Sequence, residues 1–136
     1  MSDVIELMKL LAAGVQKLRA ASQEDRAEVA RDFLNLSKTF NAFPAAQKAG
    51  DFSEMMRLAA KTHGLLDSLR ETKVFRKVLG KEADHFFETI ENVSNAKDLM
   101  TQNTGAEKLK DIITAAGYFE GFAETLSARH VTRDET

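Results

Sequence analysis

A chain of 136 residues with 43% hydrophobic residues, 29% charged residues and a single proline has the composition of one folded domain and not of a disordered segment. Nineteen basic against twenty-one acidic residues leave a formal charge of −2, so the chain lacks the global positive field that a nucleic-acid backbone rewards. The absence of cysteine removes disulfides, thiolate nucleophiles and thiolate metal sites together.

In chain order, the first element runs from Ser2, a natural N-cap, to about Ala20, with Val4, Met8, Leu11, Val15 and Leu18 on one helical face. The start also carries Glu6 and Lys9, so it lacks the pattern of a signal peptide, and no apolar run approaches the roughly 18 residues of a membrane span. The expectation is a soluble, cytoplasmic protein that does not enter a membrane. Ser22 caps a second helix whose stripe is Val29, Phe33, Leu36, Phe40 and Phe43, and Pro44 ends it. The link from Pro44 to Gly50 has room for one extra turn.

Asp51 and Glu54 form a capping box ahead of a third helix. Its apolar sector is read as Phe52, Met55, Met56, Ala59, Leu66 and Leu69, with His63 near the middle. A short amphipathic piece from Thr72 to Leu79 turns Val74, Phe75 and Val78 inward and stops or kinks at Gly80. A helix from Lys81 to about Gln102 follows, carrying Ala83, Phe86, Ile90, Val93 and Met100; Asn103-Thr104-Gly105 then reads as a turn. The last helix, Ala106 to about Arg129, presents Leu109, Ile112, Ala116, Phe119, Ala123 and Leu126, and residues 131–136 are expected to fray. The fold expected is all-α: one domain over residues 1–136, an antiparallel bundle of about five long helices and one short one.

Three patterns carry candidate chemistry. The stretch from Gly50-Asp51 to His63 resembles a histidine-containing phosphotransfer domain, which would make His63 a phosphoacceptor. That family places a lysine three residues after the histidine and then a glycine, where this chain has Leu66 and Asp67. Arg57 and His63 have the arginine-to-histidine spacing of the HEPN ribonucleases, and the resemblance would make them an RNA-cleaving pair. On a continuous helix, residues six apart are separated by roughly 120°, so a concerted site needs a break or a second copy. Glu82-Ala83-Asp84-His85 has the Glu-x-x-His spacing of di-iron bundles, which require a second such motif; Ser127 stands where the glutamate matching His130 belongs. His85 lies off the Phe86, Ile90, Val93 stripe and reads as a surface residue. Neither metal nor cofactor is expected.

The phenylalanines fall mostly on core stripes, with Phe87, Phe122 and Tyr118 toward the edges as a surface seam; lining a cavity for an apolar ligand is their alternative use. Arg70, Lys73, Arg76, Lys77 and Lys81 concentrate positive charge and are candidates for holding an acidic partner or a phosphate. Ile5, Leu10, Leu34, Leu58 and Ile113 lie beside the main seams, more apolar surface than so small a bundle covers internally. The expected function is therefore a non-enzymatic helical-bundle module, adaptor or regulatory, that binds another protein or a second copy of itself as a homodimer. The alternative is an activity dependent on His63, either phosphotransfer or RNA cleavage.

Overall fold

The computed structural model describes the backbone of residues 3–127 and, apart from positions 3 and 102–104, the side chains along it. Among the described residues there is no strand. The helices are α1 (Asp3–Leu18), α2 (Gln23–Asn41), α3 (Phe43–Ala49), α4 (Phe52–Glu71), α5 (Lys73–Leu79), α6 (Ala83–Val93), α7 (Ala96–Leu99) and α8 (Gln102–Ser127), with a 3₁₀ turn over Gly80–Glu82. α1, α2, α4, α6 and α8 are the long ones, and they pack as the all-α bundle expected. The Ser2 cap and the tail at 131–136 lie outside the described residues.

The local signals act as their chemistry dictates. The Ser22 hydroxyl accepts from the Asp25 amide at 3.2 Å and opens α2, and Asp51 accepts from the Glu54 amide at 3.0 Å and opens α4. Contrary to expectation, Pro44 does not end α2, which stops at Asn41; Phe43 opens α3, and Pro44 stands in its first turn, where its missing N–H is not needed, so the link to Gly50 holds a helix of its own. Gly80, at φ 56° and ψ −124°, takes a positive-φ conformation that side chains disfavour, and it ends α5.

The centre of the bundle is the antiparallel pair α2 and α8. Phe33 packs its ring against Phe119 and Phe122 at centroid distances of 5.3 and 5.9 Å, and Phe40 meets Phe119 at 5.8 Å. Between them the buried Ser37 hydroxyl donates to the Ala116 carbonyl at 2.8 Å. Phe75 of α5 stands edge-on to Phe33 at 5.7 Å and to Phe86 at 5.4 Å, extending the aromatic lattice to α6. Such pairs are worth about 0.5–1.5 kcal/mol each beyond the area they bury. Phe87 and Phe122, expected in a surface seam, are inside this lattice; Tyr118 is half-buried at its edge.

Three expectations need correction. The helix expected from Lys81 to Gln102 breaks after Val93, where the Ser94 hydroxyl bonds back to the Ile90 carbonyl at 2.8 Å and Asn95 caps α7 by accepting from the Asp98 amide at 3.2 Å. Such side chains compete with the helix for its own backbone groups. Apolar periodicity survives the break because Leu99 is buried and Met100 half-buried beyond it. Second, Asn103-Thr104-Gly105 is not a turn but lies within the first turns of α8. Gly105 serves packing instead: a Cβ there would collide with the Leu99 carbonyl, which also accepts from Gln47 Nε2 at 3.0 Å.

Third, α4 is rotated from its expected setting. Met55, Leu58, Thr62, Leu66 and Leu69 form its buried face, while Phe52 is 43% and Met56 53% exposed. The rotation puts Thr62, not His63, inside, and Thr62 tolerates this because its hydroxyl donates to the Leu58 carbonyl at 2.9 Å. Leu58, expected beside the seam, is a core residue.

Candidate functional site

At 100° per residue, Phe52, Met56, His63 and Arg70 lie along one flank of α4. His63, expected in the core, has 58% of its side chain exposed. Its Nε2 lies 3.4 Å from Asp67 Oδ2 and its Nδ1 3.7 Å from Glu91 Oε2 of α6. Exposure meets one requirement of a phosphoacceptor, but carboxylates facing both ring nitrogens repel an incoming phosphoryl group.

Arg70 completes the cluster. It donates from Nη2 to Glu91 Oε1 and from Nη1 to Asp67 Oδ1, both at 2.6 Å, and its guanidinium carbon sits 4.6 Å from the centre of the Phe87 ring. Hydrogen bonding to Glu91 first, and then to Asp67, holds its proton more tightly than usual. The residue is a clamp between α4 and α6, paired with a carboxylate from each.

The other singled-out residues do not converge on this cluster. Arg57 is bound to Glu54 through two contacts of 2.6 and 2.7 Å, which raise the guanidinium's proton affinity and lower that of the carboxyl. It sits about 9 Å along α4 from His63 and a third of a turn around it. Lys73 shares a recess with Asp25, Glu28 and Glu71. Arg76, Lys77 and Lys81 are exposed and form no ion pair with the described residues. Arg76 and Lys77 also occupy the last turn of α5, where positive charge complements the helix dipole. Glu82 and His85 are exposed, His85 as expected, and His130 lies outside the described residues. No group of three or more histidine, aspartate or glutamate residues among the described ones is placed to hold a metal.

Sequence reasoning missed Glu91, the hub that faces both His63 and Arg70. The spacings His63 to Asp67 and Asp67 to Arg70 mark a paired helix surface. Glu91 joins only through the packing of α6 on α4, for which local spacing has no signal.

α4 is packed by α6 over the second half of this flank, and α7 and α3 also pack on α4. α6 runs antiparallel to α4, with Phe87 beside Arg70 and Glu91 beside His63, and ends two residues beyond Glu91. Phe52 and Met56, nearer the start of α4, stay in solvent. The flank thus has an apolar half and a charged half. Among known proteins, the chain matches no family model, no curated protein and no solved structure.

Proposed function

We propose that this protein is a non-enzymatic helical-bundle module, adaptor or regulatory in kind, that binds another protein through the outward flank of α4. The observation that carries the reading is the exposure of Phe52 and Met56, one turn apart at the apolar end of that flank. Large apolar side chains left in water at helical spacing are the usual anchors of a groove or helix partner. Methionine adapts its shape to such a partner readily. The ion pairs of Asp67, Arg70 and Glu91 at the other end provide the polar rim that surrounds an apolar interface centre. Arg76, Lys77 and Lys81 offer a free positive corner for acidic residues of the same partner.

The test is a photo-crosslinking residue in place of Ala60, exposed one turn beyond Met56, used in the source cell both in the otherwise wild-type chain and in a Phe52→Glu/Met56→Glu variant. The reading expects one dominant adduct and its loss from the double variant, with an unchanged unfolding midpoint. Adducts identical in the wild type and the double variant would sink it.

A further inference from the structure

The long helix α8 presents a second outward face, distinct from the α4 flank. At 100° per residue, Lys110, Thr114, Gly117, Gly121 and Glu124 lie opposite the buried Ile112, Phe119 and Ala123. Lys110, Gly117, Gly121 and Glu124 are exposed. A Cβ on Gly117 or Gly121 would meet nothing within 4 Å among the described residues, so no contact with them accounts for either glycine. They leave bare backbone at the middle of the face, in a shallow groove of about 480 Å³ walled by Tyr118 and Phe122. Toward α2, Ile113 is 48% exposed and Leu34 39% exposed.

The charges on this face select its occupant. Lys110 stands seven residues before Gly117 and Glu124 seven residues after it. Neither forms an ion pair with the described residues. A parallel second helix of the same sequence would set lysine on lysine and glutamate on glutamate. An antiparallel one, turned about a two-fold axis at Gly117, sets each Lys110 against the other copy's Glu124, with Glu120 one turn nearer. Ile113 of each copy then lies level with Gly121 of the other, and the bare glycines let the two axes approach more closely than the usual 8–10 Å.

We infer that the occupant is a second copy of this chain, docked antiparallel through α8 as an isologous dimer. The inference rests on the reading of the protein as an interaction module but uses a different surface from the one proposed for the partner.

Sedimentation equilibrium of the full chain tests it. The wild type is expected to dimerise, and Lys110→Glu or Glu124→Lys alone to weaken the dimer by at least about tenfold. The double swap is expected to restore it. Gly117→Leu and Gly121→Leu are expected to dissociate the dimer while helicity is retained, because the monomer has empty space at both positions. A wild type that stays monomeric at about millimolar concentration overturns the inference, as does a dimer that these variants leave intact. Phe52→Glu/Met56→Glu is the control that separates the two surfaces. It is expected to leave the dimer mass unchanged, and a dimer lost in that variant places self-association on α4 and overturns the α8 assignment.

Discussion

Arg70 Nη2 donates to Glu91 Oε1 at 2.6 Å, joining the C-terminal half of α4 to the end of α6 just before α6 stops. Both side chains are more than a third exposed, so the pair is weaker than its short distance suggests. A double-mutant cycle of Arg70→Ala and Glu91→Ala is expected to give a coupling of about 0.5–1 kcal/mol in urea unfolding, falling as salt is added. Arg70→Ala alone is expected to cost somewhat more than Glu91→Ala, because it also vacates the face of Phe87.

Asp32 predicts a pH dependence of the opposite sign to a surface ion pair. It is buried on α2, and burial pushes its carboxyl above the usual carboxylate range, partly opposed by the Ser68 hydroxyl donating to it at 2.8 Å and by the charge of Arg31. The native state therefore holds the Asp32 proton more tightly than the unfolded chain. That contribution is complete below the unfolded value, and stability is lost as pH rises through the folded one. Asp32→Asn is expected to be more stable than the wild type at neutral pH, with the difference vanishing below the normal carboxylate range. Thermal unfolding of both proteins across that range checks it; a gain that persists in acid would refute the assignment.

The glycines of α8 predict opposite outcomes for one substitution. Gly105→Ala is expected to destabilise by about 1–3 kcal/mol, since the new methyl group must displace the Leu99 carbonyl or the helix itself. Gly117→Ala and Gly121→Ala, open to solvent, are expected to stabilise the monomer by about 0.5–1 kcal/mol each through helix propensity. Unfolding at dilution, where any dimer has dissociated, separates the two cases.

Phenylalanines on similar apolar patterns also divide. Phe33 is fully buried and touches the rings of Phe75, Phe119 and Phe122, so Phe33→Ala is expected to cost about 3–5 kcal/mol. Phe52→Ala, at an exposed position, is expected to stay within about 0.5 kcal/mol. Urea midpoints of the two variants check the rotation of α4, and equal losses would mean that Phe52 is covered.

What could be read in the sequence was what depends on near neighbours. Ser22 and Asp51 cap helices through an amide three residues away, and Gly80 ends α5 by its own backbone freedom. The stripe of α2 was legible from Val29 to Phe40, spaced for a single face, although Phe43, read as its last member, belongs to α3. α4 was not: apolar residues surround much of its circumference, and only its neighbours decide that Thr62 is buried and His63 exposed. The same limit hid the break at Ser94, the packing role of Gly105 and the joining of Glu91 to Arg70. The candidate site was legible as a set of residues on α4, but the pairing of its charged half with Glu91 and the exposure of Phe52 and Met56 were not.

The pairing of α2 with α8 also sets a clock for synthesis. Ser37 and its acceptor Ala116 are separated by 79 positions. At about 5–20 residues per second, a ribosome needs roughly 4–16 seconds to go from one to the other. In that interval Phe33 and Phe40 come to have Phe75 and Phe43 within reach but not Phe119, the ring that meets both of them. The centre of the core can therefore close only after α8 has been made, however early α2 forms.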